Sequence, residues 1–151
     1  MNLNVVMLKR GLLAFWALWN LVVCFTNLCD GLKTLGVLGA AWKLTSGNYP
    51  LLVGTTALYG TPPWINAVLF LGVISWEGAS AFLFWTAYRR FGANKRSDLR
   101  AVHAAFTVSL ALWAAFILAD EIFLAYGLEG THLHIFTGQL ATLLVIHLLP
   151  D

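Results

Sequence analysis

The chain has 151 residues, 60% of them apolar and only 11% charged, where soluble domains average about 45–50% and about 25%. A water-soluble globule of this size cannot hide so much apolar surface, and a net charge of +2 from nine basic and seven acidic side chains is too small and scattered for a nucleic-acid surface. Each bilayer span takes about 20 mostly apolar residues, so a large soluble enzyme is excluded and the expected class is all-α: one transmembrane domain, a four-helix bundle with short loops.

A first span is expected over residues 11–28, which carry no charge and follow Lys9-Arg10. A secretory signal also has a basic start and an apolar body, but no small-x-small cleavage site follows here and further apolar runs do. Beyond the span, Leu32, Leu35, Leu38, Gly39 and Trp42 recur at helical spacing between Lys33 and Lys43. That pattern predicts an interfacial helix lying along the membrane surface in the first outer loop. Residues 49–59, apolar with Pro50 and Gly54, fit an extended or a re-entrant segment alike.

A second span is expected over 64–88, behind Thr61-Pro62-Pro63, where proline ends any preceding helix and opens the next. Its one charge is Glu77. A third span covers 101–126 and stays uncharged until Asp120-Glu121; a fourth covers 133–149, short enough to stand nearly upright, and is stopped by Pro150. Seven of the nine Lys and Arg fall at the N-terminus (Lys9, Arg10) or in the loop between the second and third spans (Arg89, Arg90, Lys95, Arg96, Arg100). Short basic loops stay cytoplasmic, so both termini are expected inside. Of the tryptophans, Trp42 and Trp64 suit the outer aromatic belt and Trp16 and Trp85 the inner one, with Trp19, Trp76 and Trp113 deeper. Cys24 and Cys29 stand roughly 140° apart on a helix and are expected to pack rather than pair.

Polar groups inside spans are costly and turn toward the bundle interior, so they are the candidate functional residues. They are Asn20, Asn27, Glu77, Glu121 and Gln139. Counted from the outer end of each span at about 1.5 Å per residue, Asn27, Glu121 and Gln139 lie within roughly 5–10 Å of it, and Asn20 and Glu77 lie roughly 15–20 Å from it. A carboxylate at the midplane has to be protonated, hydrogen-bonded or ion-bound, and Asn20, at matching depth, is the expected partner of Glu77. An outer-rim metal set of Asp30, Asp120, Glu121, His132 and His134 has suitable donors, although two His two apart on a helix point to opposite sides. A haem would need facing axial His, and His103 and His147 both lie near the cytoplasmic end.

Phe25-Thr26-Asn27-Leu28-Cys29-Asp30 closing the first span, Trp76-Glu77 in the second, Asp120-Glu121-Ile122-Phe123 late in the third and Gln139 in the fourth resemble a family of small four-helix integral membrane proteins of bacteria known as a domain of unknown function. The resemblance covers nearly the whole chain. The family more often reads Asn-Asn-Leu-Thr-Asp and Gly-Gly-Glu-Trp, and this chain departs at Thr26, Cys29, Asp120 and Ile122. It implies the fold and a bacterial inner membrane, and no activity.

No nucleophile elbow, phosphate loop or Cys-pair zinc motif is present in the sequence. The expected function is therefore a non-catalytic accessory or assembly subunit packed on a larger membrane complex, one connected with electron transport. Rows such as Phe82, Phe84, Trp85 and Phe106, Trp113, Phe116 would offer contacts to neighbouring integral membrane subunits. The alternative is an ion-, metal- or small-ligand-binding or conducting protein that uses the intramembrane carboxylate column. Bound lipid is expected, a cofactor is not, and the partners are the bilayer and other membrane subunits rather than nucleic acid.

Overall fold

The computed structural model describes residues 3–92 and 95–150, and among these every regular element is helical. Helix α1 runs Leu3–Thr34, α2 Asn48–Thr56 with a 3-10 turn at Ala57–Tyr59, α3 Pro63–Arg90, α4 Lys95–Ile122 and α5 Tyr126–Leu148. By length and composition, three stretches among the described residues are apolar enough to cross a membrane: Val5–Thr34, Pro63–Arg90 and Leu99–Ile122. Helix α5 has the length for a span, but His132, His134, Gln139 and His147 dilute its apolar run.

Helix α1 ends where backbone chemistry forces it to. Gly36 adopts φ 73, the left-handed conformation that glycine enters at no steric cost. The Val37 amide then donates to Leu32 O at 2.9 Å and the Gly36 amide to Lys33 O at 3.0 Å, the two reverse bonds that close a Schellman motif. Lys33 sits in this last turn, where a cation faces the negative end of the helix dipole.

The interfacial helix expected between Lys33 and Lys43 is thereby overturned. Leu32 still belongs to α1, and residues 35–47 form turns and irregular chain. Their periodic leucines cannot continue a helix through the Gly36 reversal. The helical element of this loop is instead α2, which Asp30 starts: its carboxylate accepts the Tyr49 amide at 2.7 Å and the Ser46 hydroxyl at 3.3 Å. An acid at a helix N-terminus satisfies amides that the helix itself leaves unpaired.

Pro62 and Pro63 open α3, and Arg89 and Arg90 close it. Helices α4 and α5 join through a tight reversal at Leu124, φ 55, where the Ala125 amide returns to Asp120 O at 2.7 Å. So short a connection makes α4 and α5 antiparallel neighbours.

Helix α1 packs along α3, α3 along α4, and α4 along α5; α1 and α5 touch only slightly, and α2 lies against α1 and α3. The shared apolar core holds Leu13, Trp16 and Ala17 of α1, Phe84 and Ala87 of α3, Val102, Ala105 and Phe106 of α4, and Ile146 of α5. The Lys9 ammonium donates to Leu149 O at 2.8 Å and the Trp16 indole to Thr142 Oγ1 at 3.0 Å, tying α1 to the end of α5. Trp16 is therefore a buried packing residue rather than an inner-belt anchor.

The distribution of side chains reverses that of a soluble protein. Asn20, Asn27, Glu77, Ser80, Ser109 and Gln139 are buried, whereas Leu18, Leu21, Val22, Phe25, Leu71, Phe82 and Leu118 are exposed. In water an apolar exterior of this extent would be a liability; against hydrocarbon it is the stable arrangement, and the polar groups have to satisfy one another inside. The rows expected to face neighbouring subunits are corrected in the same terms. Phe84, Phe106 and Trp113 are buried in the chain's own core, and only Phe82 and Trp85 of the α3 row look outward. Residues two apart on a helix stand about 200° apart, so Phe82 and Phe84 could not share a face.

Candidate functional site

Glu77 lies on α3 with 2% of its surface exposed. The Asn27 side-chain amide, on α1, donates to both of its carboxylate oxygens at 2.8 Å. Asn27 in turn accepts through Oδ1 from the Asn48 amide at 2.8 Å, so three helices contribute one directed chain of donors that ends on the carboxylate. Close approach of α1 and α3 makes it possible: a Cβ on Gly78 would stand 3.6 Å from Cys24 Sγ, and the Cys24 thiol donates to Ile74 O at 3.4 Å.

The expected partner of Glu77, Asn20, is not the observed one. Asn20 is buried, its amide donates to Trp16 O at 2.8 Å within α1, and its Oδ1 finds no protein partner. The cause is the offset of α1 against α3 along their axes. Counted from the observed ends, Thr34 and Pro63, Asn20 and Glu77 are both about 21 Å deep and Asn27 about 10 Å, so equal counts from helix ends do not give equal levels: α3 starts farther out than α1 ends, and Asn27 is the residue that meets Glu77.

Of the remaining polar positions, Gln139 is buried and donates to Ser109 Oγ at 2.8 Å, linking α5 to α4 apart from the Glu77 chain. Glu121 is exposed and does not join an inward column. It follows Asp120 by one residue, about 100° around α4, and Asp120 is the one that turns in.

The five residues of the rim metal set do not meet. Asp30 is committed to the start of α2, and Glu121 and His134 are exposed. Only Asp120 and His132 come together, with Nδ1 and Oδ2 2.5 Å apart. Among the described residues no group of three or more His, Cys, Asp or Glu is placed to hold an ion. At the other end, the His103 and His147 rings lie parallel, 5.0 Å between centroids, with their Nε2 atoms 2.9 Å apart. The bond from His147 Nδ1 to Leu143 O leaves the neutral His147 Nε2 as acceptor, so the His103 Nε2–H is the donor. The two rings thus bond to each other directly.

Between the Glu77 chain and the Asp120–His132 pair lies a cavity of about 490 Å³, inside the size range of small-molecule sites. Helices α1 to α5 all contribute to its wall. The polar lining is Asn27, Asn48, Thr55, Thr56, Glu77, Asp120 and His132, and aliphatic side chains with Phe70, Trp76, Trp113, Phe116 and Phe123 form the rest. Phe116 stacks on the His132 ring at 4.9 Å and holds it in place, and the Trp76 indole is fixed by donation to Val108 O at 2.8 Å. Trp113 is buried with no partner for its indole N–H.

No protein-family model matches the chain, and neither does any curated protein or solved structure.

Asn48 and Thr56 were not among the sequence candidates, because they lie outside every expected span. The Thr56 hydroxyl meets the Asn66 side chain at 2.8 Å; one signal for this pair was present in the sequence, an Asn just inside the Pro-Pro helix start, where a polar side chain secures the neighbouring loop.

Proposed function

We propose that this chain is an integral membrane protein in which α1, α3, α4 and α5 form a four-helix bundle, with both termini on the cytoplasmic side of a bacterial inner membrane, and that it binds a small apolar or amphiphilic molecule in the cavity beside Glu77. The family resemblance at Asn27, Glu77, Glu121 and Gln139 is part of the same proposal. The observation that carries the binding reading is the cavity: an apolar, aromatic wall of drug-sized volume into which a buried carboxylate and an Asp–His pair converge, the usual composition of a small-molecule site. The rival reading, an accessory subunit on a larger complex, draws on the exposed Phe82 and Trp85, but lipid covers such side chains equally well.

Native mass spectrometry on protein taken from its own membrane in mild detergent tests the choice. The expected result is a chain that retains a small-molecule adduct, and a Gly72→Phe variant that loses it. Gly72 lines the cavity and a Cβ there meets nothing within 4 Å, so the new ring fills space rather than displacing neighbours. An adduct-free chain that travels with other membrane proteins would overturn the binding reading and support the accessory one.

Orientation has its own test, set by the uneven distribution of basic residues. In a background lacking Cys24 and Cys29, an impermeant thiol reagent added outside is expected to label a cysteine placed at Ser46 and to miss one at Asn94, a position outside the described residues. The reverse pattern would place the termini outside.

A further inference from the structure

We infer that the occupant of the cavity is a lipophilic cation, a positively charged ammonium-type head on an apolar or aromatic body, with Glu77 as its counter-ion. This rests on the binding reading above and names the class of ligand.

The charge of the wall selects the ligand. Among the described residues no Lys or Arg lines the cavity, and its ionisable groups are Glu77, Asp120 and His132. Asp120 and His132 already satisfy each other, which leaves the Glu77 carboxylate. Its two oxygens receive bonds from one nitrogen, Asn27 Nδ2, although a carboxylate offers about four lone-pair sites. An anionic head would meet two acids and no free cation, so fatty-acid and phosphate headgroups are disfavoured.

The remaining wall separates an organic cation from simpler ones. A proton alone would neutralise Glu77 but would leave the apolar space unused. A hard metal ion takes about six oxygen ligands, whereas of the oxygen-bearing lining Asn27 is tied to Glu77 and Asn48, Thr56 to Asn66 and Asp120 to His132, and the rest of the wall is largely Trp76, Trp113, Phe116 and aliphatic side chains. Indole and phenyl faces attract organic ammonium groups, and the aliphatic lining takes the body that carries them.

The test uses probes that differ in charge and not in shape. The purified protein is titrated with radiolabelled tetraphenylphosphonium, which is then displaced by benzyltrimethylammonium or by its neutral carbon isostere, neopentylbenzene. The expected result is one saturable site per chain, displaced by benzyltrimethylammonium and at least tenfold less well by the isostere. Glu77→Gln keeps an acceptor for Asn27 and is expected to bind tetraphenylphosphonium at least tenfold more weakly. A second readout needs no variant: in the native protein, benzyltrimethylammonium should protect Glu77 from dicyclohexylcarbodiimide and neopentylbenzene should not. Equal displacement by the isostere, or equal protection by it, would overturn the cation assignment while leaving a binding cavity. Unweakened binding by a folded Glu77→Gln variant would do the same. Failure of both the cations and the isostere to bind or protect would overturn the cation assignment and the binding reading together.

Discussion

Replacing Asn27 by Leu is expected to lower the stability of the folded chain by about 2 kcal/mol, and replacing Asn27 and Glu77 together by Leu is expected to restore most of that loss. Asn27 supplies both bonds to a carboxylate that is 2% exposed. Removing it leaves a buried acceptor unsatisfied, at a cost of about 1–3 kcal/mol in water-soluble proteins and more for a charged group. In a membrane the figure is smaller. The unfolded chain stays in the bilayer and finds other partners, so interhelical hydrogen bonds there average about 0.6 kcal/mol and reach about 1.7. A two-fold contact to a carboxylate belongs at the upper end of that range. The double variant removes donor and acceptor together, and Asn48, exposed at the surface, can turn its freed amide to water. A double-mutant cycle from reversible unfolding in mixed micelles measures the coupling; equal stability of the single and double Leu variants would mean that the contact contributes nothing. In the same series Glu77→Gln should cost less than Asn27→Leu, because the Gln carbonyl still accepts from Asn27 although its amide nitrogen replaces the second acceptor.

What could be read from the sequence follows from the physics that each residue answers to. The long helices are legible because a bilayer demands long uninterrupted apolar runs, and Pro62, Pro63 and Pro150 mark where they start and stop. The inward turn of Asn20, Asn27, Glu77 and Gln139 is legible because hydrocarbon leaves a polar side chain few alternatives. The pairing among them is not. It depends on how far α1 and α3 are shifted along one another, an offset that neither helix's own residues state: Asn20 and Glu77 stand equally far from Thr34 and Pro63, yet Asn27 is the one that meets Glu77. Asp30 shows the same gap from another side. As a residue type at a membrane rim it reads as a metal donor, yet its role is fixed by the loop that folds back to bring Tyr49 to it. The cavity is the least legible feature, since every helix contributes to its wall and its volume exists only once they are packed.

Phe84 sits where that packing is tightest. It has 0% exposure, stacks on Trp16 with centroids 6.5 Å apart and meets Phe106 edge-on at 4.9 Å. In a soluble core Phe→Ala costs about 3–5 kcal/mol, a sum of lost transfer from water and the cavity left behind. If α3 spans the bilayer, the first part largely cancels, because lipid tails are as apolar as the protein interior. The cavity and the aromatic contacts remain, the latter about 0.5–1.5 kcal/mol per pair. Phe84→Ala is therefore expected to cost about 2 kcal/mol in bicelles, clearly below the soluble value. Phe82, two residues earlier and 68% exposed, is expected to change stability by less than about 0.5 kcal/mol when cut to Ala in the purified chain, since lipid fills the space. The pair also reports on neighbours in the native membrane. If Phe82→Ala lowers the amount of folded protein in cells as much as Phe84→Ala does, while the purified variants differ as stated, another protein covers the outer face of α3 and the accessory reading regains its footing; if only Phe84→Ala has an effect, that face meets lipid.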